Sequence, residues 1–96
     1  MIDRIKINEE KLDTIISILN ELEVSIDKLY SIKNLIIDIN DYYGSKNWFK
    51  DKKALESDKI KNIKAGILSE DNVWNTLGRI DEYIDILNEI KEDIYK

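Results

Sequence analysis

All but one of the signals for irregular backbone lie in two short segments, and this constrains the fold more than any other feature. Residues 42–48 read YYGSKNW and residues 66–71 read GILSED, and together they hold two of the three glycines. The chain has no proline, so nothing in its composition forbids long helices. Outside the two segments, apolar residues recur every three or four positions, which predicts helix.

The first predicted helix runs from Glu9 to Tyr43, with Asn8 as its N-cap. The step from Leu29 to Ile32 interrupts the heptad repeat, so the pattern is compatible either with a straight helix or with a bend at this point. The apolar stripe that predicts the helix is Leu12, Ile15, Leu19, Leu22, Ile26, Leu29, Ile32, Ile36, Ile39 and Tyr43.

The segment around Gly44 predicts a tight corner between helices. Glycine readily takes the left-handed conformation that ends a helix, and Ser45 can cap the helix that follows. Lys46 to Leu55 then reads as a short helix with Trp48 and its neighbour Phe49 on the inner face.

The second segment predicts the start of the last helix. Ser69 is the expected N-cap, two acidic residues follow it, and Leu68 should pack on Val73 as a hydrophobic staple. The helix should continue nearly to Lys96. Its apolar stripe is Val73, Leu77, Ile80, Ile84, Leu87 and Ile94.

Two long helices joined by a short connector should run antiparallel. The predicted fold is therefore all-α, an antiparallel hairpin of two long helices with a short third helix in the connector, forming a single helical domain over residues 1–96. Two helices leave apolar side chains half covered, so a homodimer or a partner helix is expected. The residues off the main stripes are Ile16, Ile18, Ile37, Ile86 and Ile90.

Composition argues against an enzyme. The chain contains neither cysteine nor histidine, which removes thiol nucleophiles, thiolate and imidazole metal ligands and the usual general base near neutral pH. Carboxylate pairs such as Asp81 with Asp85 and Asp38 with Asp41 are interpreted as solvated helix faces. We expect no catalytic residue, cofactor or metal. Without a long apolar run, we expect a cytoplasmic chain and no membrane partner.

Charge is uneven along the chain. The net charge is −5, yet residues 46–64 carry seven lysines against three acidic residues. One alternative is a nucleic-acid-associated regulator that uses these lysines, and another is an acidic mimic of nucleic acid. Because the whole chain is acidic, a solvated connector is favoured and nucleic acid is not the expected partner. The lysines are Lys46, Lys50, Lys52, Lys53, Lys59, Lys61 and Lys64.

An aromatic corner is the best candidate for a partner-binding site. Large aromatic side chains near helix junctions usually pack as core, so the competing interpretation is a corner that sets the angle between helices. Asp51 is predicted to cap a backbone group or to pair with a connector lysine. The candidate residues are Tyr42, Tyr43, Trp48, Phe49, Asp51 and Trp74.

The same two segments resemble a bacterial family, the domain of unknown function 4298. The resemblance covers residues 35–77, and this chain departs from the family pattern at Lys52, Lys53 and Ala65. It implies a small cytosolic helical protein with no assigned activity. The residues that carry the resemblance are Tyr42, Tyr43, Ser45, Trp48 and Asp51, then Gly66, Ile67, Leu68, Ser69, Glu70, Asp71 and Leu77.

These patterns together favour a non-enzymatic protein–protein interaction module. A short, acidic, helical chain without catalytic groups is typical of an inhibitor, an immunity protein or an accessory protein of a mobile element or secretion system. The expected partner is another protein or a second copy of the chain.

Overall fold

The computed structural model describes residues 1–96, and it is all-α as the periodicity predicts. Helix accounts for 82% of the residues and there is no strand. There are four α-helices rather than three, because the predicted first helix is divided in two. The elements are α1 (Ile2–Ser31), α2 (Lys33–Tyr42), α3 (Lys46–Glu56), a 3₁₀ turn (Gly66–Leu68) and α4 (Glu70–Ile94).

Helix α1 begins at Ile2, so the prediction that Asn8 caps it was wrong. Asn8 lies inside the helix, and its side-chain Nδ2 donates to the Arg4 carbonyl at 2.7 Å. Ile5 lies seven residues before Leu12 and extends the apolar stripe towards the N-terminus. An asparagine inside a helix costs only about 0.7 kcal/mol, so it does not end a helix that apolar periodicity favours.

The division between α1 and α2 falls at Ile32, next to the heptad slip. The Ile32 N–H donates to the carbonyls of Lys28 and Leu29, at 3.3 and 3.2 Å. The bend left open by the sequence is therefore a helix end, at which one N–H is shared between the i−4 and i−3 carbonyls, as is common at helix termini.

The corner around Gly44 forms as predicted. Gly44 has φ +76°, the left-handed conformation that glycine adopts without steric cost. The Ser45 hydroxyl oxygen accepts from the Trp48 backbone N–H at 3.2 Å, which confirms it as the N-cap of α3. These contacts are local, which is why the sequence predicts them.

The turn before α4 is also confirmed. The Ser69 hydroxyl oxygen accepts from the Asn72 N–H at 3.3 Å, and both Leu68 and Val73 are buried, as expected of the staple. The Asn72 side chain donates to the Gly66 carbonyl at 3.3 Å. A Cβ at Gly66 would lie 3.1 Å from Asn72 Nδ2, so glycine permits this close approach.

Replacing the Ser69 cap should destabilise the second half of the chain. Ser69→Ala removes the acceptor for the Asn72 N–H and is expected to lower the free energy of unfolding by ~1 kcal/mol. Urea denaturation followed by tryptophan fluorescence measures this change. Ser17→Ala, an exposed position inside α1, is the control and should lower nothing, because alanine favours helix more than serine. Equal stability of wild type and Ser69→Ala would contradict the capping role.

The chain divides into two units, Met1–Leu35 and Ile36–Lys96. In the second unit, the buried apolar side chains are Trp48, Leu68 and Val73, contributed by α3, the 3₁₀ turn and α4. In the first unit, α1 contains no buried residue. No helix combines the length and the apolar character that crossing a bilayer requires.

Candidate functional site

Trp48 is the centre of the aromatic corner. Its side chain is only 2% exposed, and its indole Nε1 donates to the Ile67 carbonyl at 2.9 Å. The ring of Tyr43 lies edge-on to it, with centroids 5.1 Å apart and 78° between the planes. The hydrogen bond from Trp48 to Ile67 connects α3 to the 3₁₀ turn, and it therefore joins the two segments in which the sequence concentrates its irregular backbone.

Tyr42 and Asp51 form the polar edge of the corner. The Tyr42 hydroxyl donates to Asp51 Oδ2 at 2.6 Å, and both residues are half-buried. Asp51 was predicted to cap a backbone group or to pair with a lysine, and the structure gives it a phenol instead. The reason is spacing: the turn at Gly44 brings the end of α2 beside the second turn of α3. The sequence pattern does not encode that proximity.

The Asp51 hydrogen bond raises the pKa of the Tyr42 phenol above its ordinary value of 10.0, and desolvation and the Asp51 charge act in the same direction. Because the pKa is higher in the folded state, the stabilisation is fully present below pH 10.0 and is lost as pH rises through the raised pKa.

Tyr42→Phe should therefore lower stability in a pH-dependent way. At pH 8 the expected loss is ~1 kcal/mol, the contribution of a partly exposed hydrogen bond to a carboxylate. The difference from wild type should shrink as pH rises through the raised pKa of Tyr42, and paired urea titrations between pH 8 and 11 measure it. Tyr30→Phe, at a 72% exposed position, is the control and should change stability by less than ~0.5 kcal/mol. A difference that is constant with pH would contradict the assigned bond.

Two of the predicted corner residues point to solvent. The ring of Phe49 is edge-on to Trp48 with centroids 5.0 Å apart, but Phe49 is 60% exposed, so it was wrongly placed on the inner face of α3. Trp74 is 69% exposed and belongs to neither ring pair, so the expected gathering with Tyr43 and Trp48 does not occur. On α4 the inward position is taken by Val73, and Trp74 lies about 100° further round the helix.

The connector lysines do not act as one set. Lys52 is half-buried, with Nζ 5.1 Å from the Trp48 ring centroid, a cation–π contact within the corner. Because Trp48 is buried, it offers no face on which a base could stack, whereas Phe49 does. Contact between nucleic acid and the remaining lysines stays an alternative hypothesis.

A groove that the sequence did not single out lies between α2 and α4. Its first part is an open depression of about 390 Å³ with an apolar floor. Ile39 of α2 lines one side, Val73 and Leu77 of α4 line the other, and Lys64 lies at its edge. The sequence signal that could have revealed the groove is the pair of apolar stripes on α2 and α4, counted backwards from the turn at Gly44 and forwards from the turn at Ser69.

A second depression of about 240 Å³ continues the groove, and both parts share Leu77. Here Ile36 of α2 lies across from Ile80 of α4. Along the groove, Ile39 is thus at the level of Leu77 and Ile36 at the level of Ile80, which defines the register of α2 and α4 within the second unit.

The largest run of uncovered apolar side chains is on α1. Its apolar heptad positions, all isoleucine or leucine, are 37–55% exposed. The opposite face is mainly polar. We call these residues the α1 stripe: Ile5, Leu12, Ile15, Leu19, Leu22, Ile26 and Leu29.

Neither the curated proteins nor the solved structures include a significant match to this chain. No group of three or more acidic side chains is placed to hold a metal ion. The profile of the family described as "Domain of unknown function (DUF4298)" matches residues 5–92, a longer stretch than the two turn segments indicate, so this chain belongs to that family.

Proposed function

We propose that this chain is a non-enzymatic protein–protein interaction module whose binding surface is the α1 stripe. The observation that carries the proposal is that none of the 30 residues of α1 is buried, although the helix has a regular apolar face. An isolated helix gains little from propensity alone, and most helical stability in proteins comes from packing an amphipathic face. The α1 stripe therefore requires a covering surface.

Part of that surface is available in the chain itself. The far half of α4 exposes Ile84, Leu87, Ile90 and Ile94, each at least 48% accessible. We propose the antiparallel hairpin expected from the sequence, in which the register between α2 and α4 continues. Leu29 would then lie beside Leu87, Ile26 beside Ile90 and Leu22 beside Ile94.

This hairpin leaves the first five turns of α1 uncovered. Helix α4 ends at Ile94, which the register brings only as far as Leu22. Ile5, Leu12, Ile15 and Leu19 lie beyond that point, so a binding partner would contact them. Contiguous exposed apolar surface of this kind marks interaction sites in soluble proteins. The acidic charge and the helical fold are compatible with an inhibitor, an immunity protein or an accessory protein of a mobile element or secretion system.

Affinity capture with a matched pair of variants tests the proposal. Ile15 and Val24 are both 54% exposed, and they lie about two and a half turns apart, on opposite faces of α1. Ile15→Lys places a charge in the α1 stripe, whereas Val24→Lys places the same charge on the other face. Tagged wild type and both variants are incubated with a nuclease-treated extract of cells that encode the chain, and retained proteins are quantified by mass spectrometry.

We expect wild type and Val24→Lys to retain the same protein, which can be an untagged copy of the chain. Ile15→Lys should retain at least roughly tenfold less of that protein, because a lysine in an apolar contact must be desolvated. A retained protein counts only if, once purified, it shows the same preference. Equal capture by all three chains, or no capture above the tag alone, would contradict the proposal. Capture that occurs only from a parallel extract without nuclease treatment would favour the lysine connector instead.

A further inference from the structure

We infer that the partner of the α1 stripe is a second copy of this chain, bound as an antiparallel coiled coil whose two-fold axis crosses α1 between Asp13 and Thr14. The inference rests on the proposed function and names its partner. It concerns residues 5–22; among their heptad positions the proposed hairpin contacts only Leu22, at the end of the segment.

The spacing of the stripe is self-complementary about this axis. From Ile5 to Leu29 the heptad positions alternate in steps of three and four without a slip, which is the repeat of a coiled coil. Reversing the helix about a point between Asp13 and Thr14 superposes each heptad position of the segment on another. The facing pairs are Ile5 with Leu22, Asn8 with Leu19 and Leu12 with Ile15, each formed twice.

Charge favours the antiparallel orientation. Arg4 and Lys6 lie at one end of the segment, and Glu21 and Glu23 lie at the other. In the antiparallel pair, Arg4 comes beside Glu21 of the second copy on one edge, and Lys6 comes beside Glu23 of the second copy on the other. A parallel pair would place each of these charges beside its own kind, which is unfavourable.

The same charges exclude the next possible register. Moving the axis by half a heptad, to Ser17, also aligns the heptad positions. It places Arg4 beside Lys28 and Asp13 beside Glu23 of the second copy, so like charges meet on both edges. It also uses Ile26 and Leu29, which the proposed hairpin assigns to α4.

Asn8 is the one polar residue at a heptad position of the segment. Its Nδ2 donates to the Arg4 carbonyl at 2.7 Å within its own helix, so one of its donors is satisfied before association. A polar residue at a core position usually specifies register at some cost in stability. Opposite Leu19 it lies one turn in from the end of the interface.

Sedimentation equilibrium of the purified full-length chain is the first test. Wild type and Val24→Lys should form dimers with equal dissociation constants, and Ile15→Lys should raise that constant by roughly a hundredfold or more, because its charge enters the interface twice. Far-UV circular dichroism at high concentration shows whether each variant stays helical. A wild type that is monomeric at all concentrations would overturn the inference.

Distances between spin labels test the orientation without disturbing the stripe. The chain has no cysteine, so one introduced cysteine gives one label per copy. Asp3→Cys, Glu10→Cys, Ser17→Cys and Val24→Cys lie one heptad apart on the outward face. The antiparallel pair separates labels at positions 3 and 24 by ~32 Å along the axis, and at positions 10 and 17 by ~10 Å, at ~1.5 Å per residue.

The expected result is two long distances at the ends and two short distances in the middle, symmetric about the axis. Four equal distances would mean a parallel pair and would overturn the inference, and so would the absence of any dipolar signal. If the purified chain is monomeric but affinity capture still depends on Ile15, the partner is a different protein. In that case the inference fails and the proposed function stands, whereas failure of both experiments rejects both.

Discussion

Trp48→Ala is expected to lower the free energy of unfolding of the second unit by about 3–5 kcal/mol, the usual cost of removing a buried tryptophan. Trp48 is 2% exposed, and the variant loses the packing with Tyr43 and the Nε1 hydrogen bond. It also leaves the Ile67 carbonyl without its donor. Because small domains are stable by only about 5–15 kcal/mol, this change should remove a large part of the stability.

Trp74→Ala is the matched control for this prediction. It deletes the same side chain at a position that is 69% exposed, so stability should change by less than ~0.5 kcal/mol. Urea denaturation by circular dichroism measures both variants. In Trp74→Ala, fluorescence comes only from Trp48 and reports the corner alone. If the two variants were equally stable, Trp48 would not be the centre of the corner.

The second large effect is expected at the staple before α4. Leu68→Ala should lower the free energy of unfolding by about 2–4 kcal/mol, because it opens a cavity in a small core that contains few other buried side chains. Leu68 is 7% exposed and Val73 is 5% exposed. Tryptophan fluorescence during urea denaturation follows the unit that contains them.

A double-mutant cycle shows whether Leu68 acts through Val73. Leu68→Ala and Val73→Ala should couple by about 0.5–1.5 kcal/mol, as contacting residues do. Ile63→Ala, at a position that is 56% exposed in the preceding connector, is the control and should change stability by less than ~0.5 kcal/mol. Strictly additive effects of the pair would contradict the staple.

The corner is better explained as structure than as a binding pocket for a partner. Trp48 is enclosed, Asp51 is engaged by Tyr42, and Lys52 lies over the indole ring. Each of these side chains packs on, or hydrogen-bonds to, another residue within residues 42–67. The largest run of exposed apolar side chains lies on α1, and for this reason the proposals concern that helix.

Prediction from sequence worked best where the controlling interactions span a few residues. Gly44, Ser45 and Ser69 take the conformations and hydrogen bonds expected of them, because a helix end is decided by the backbone groups within one turn. The apolar spacing also predicted the limits of α4 to within about two residues. It missed the start of α1, where Ile5 outweighs the capping preference of Asn8.

What the sequence by itself determined is therefore the all-α class, the two turns and the apolar faces of the helices. Only the tertiary structure decided that Trp48 is buried while Phe49 and Trp74 are exposed, and that Asp51 accepts from Tyr42 rather than from a lysine. The physical reason is the distance along the chain over which each interaction acts. Helix formation depends on neighbours three or four residues away, whereas burial and hydrogen-bond partners depend on which distant segment arrives at each face.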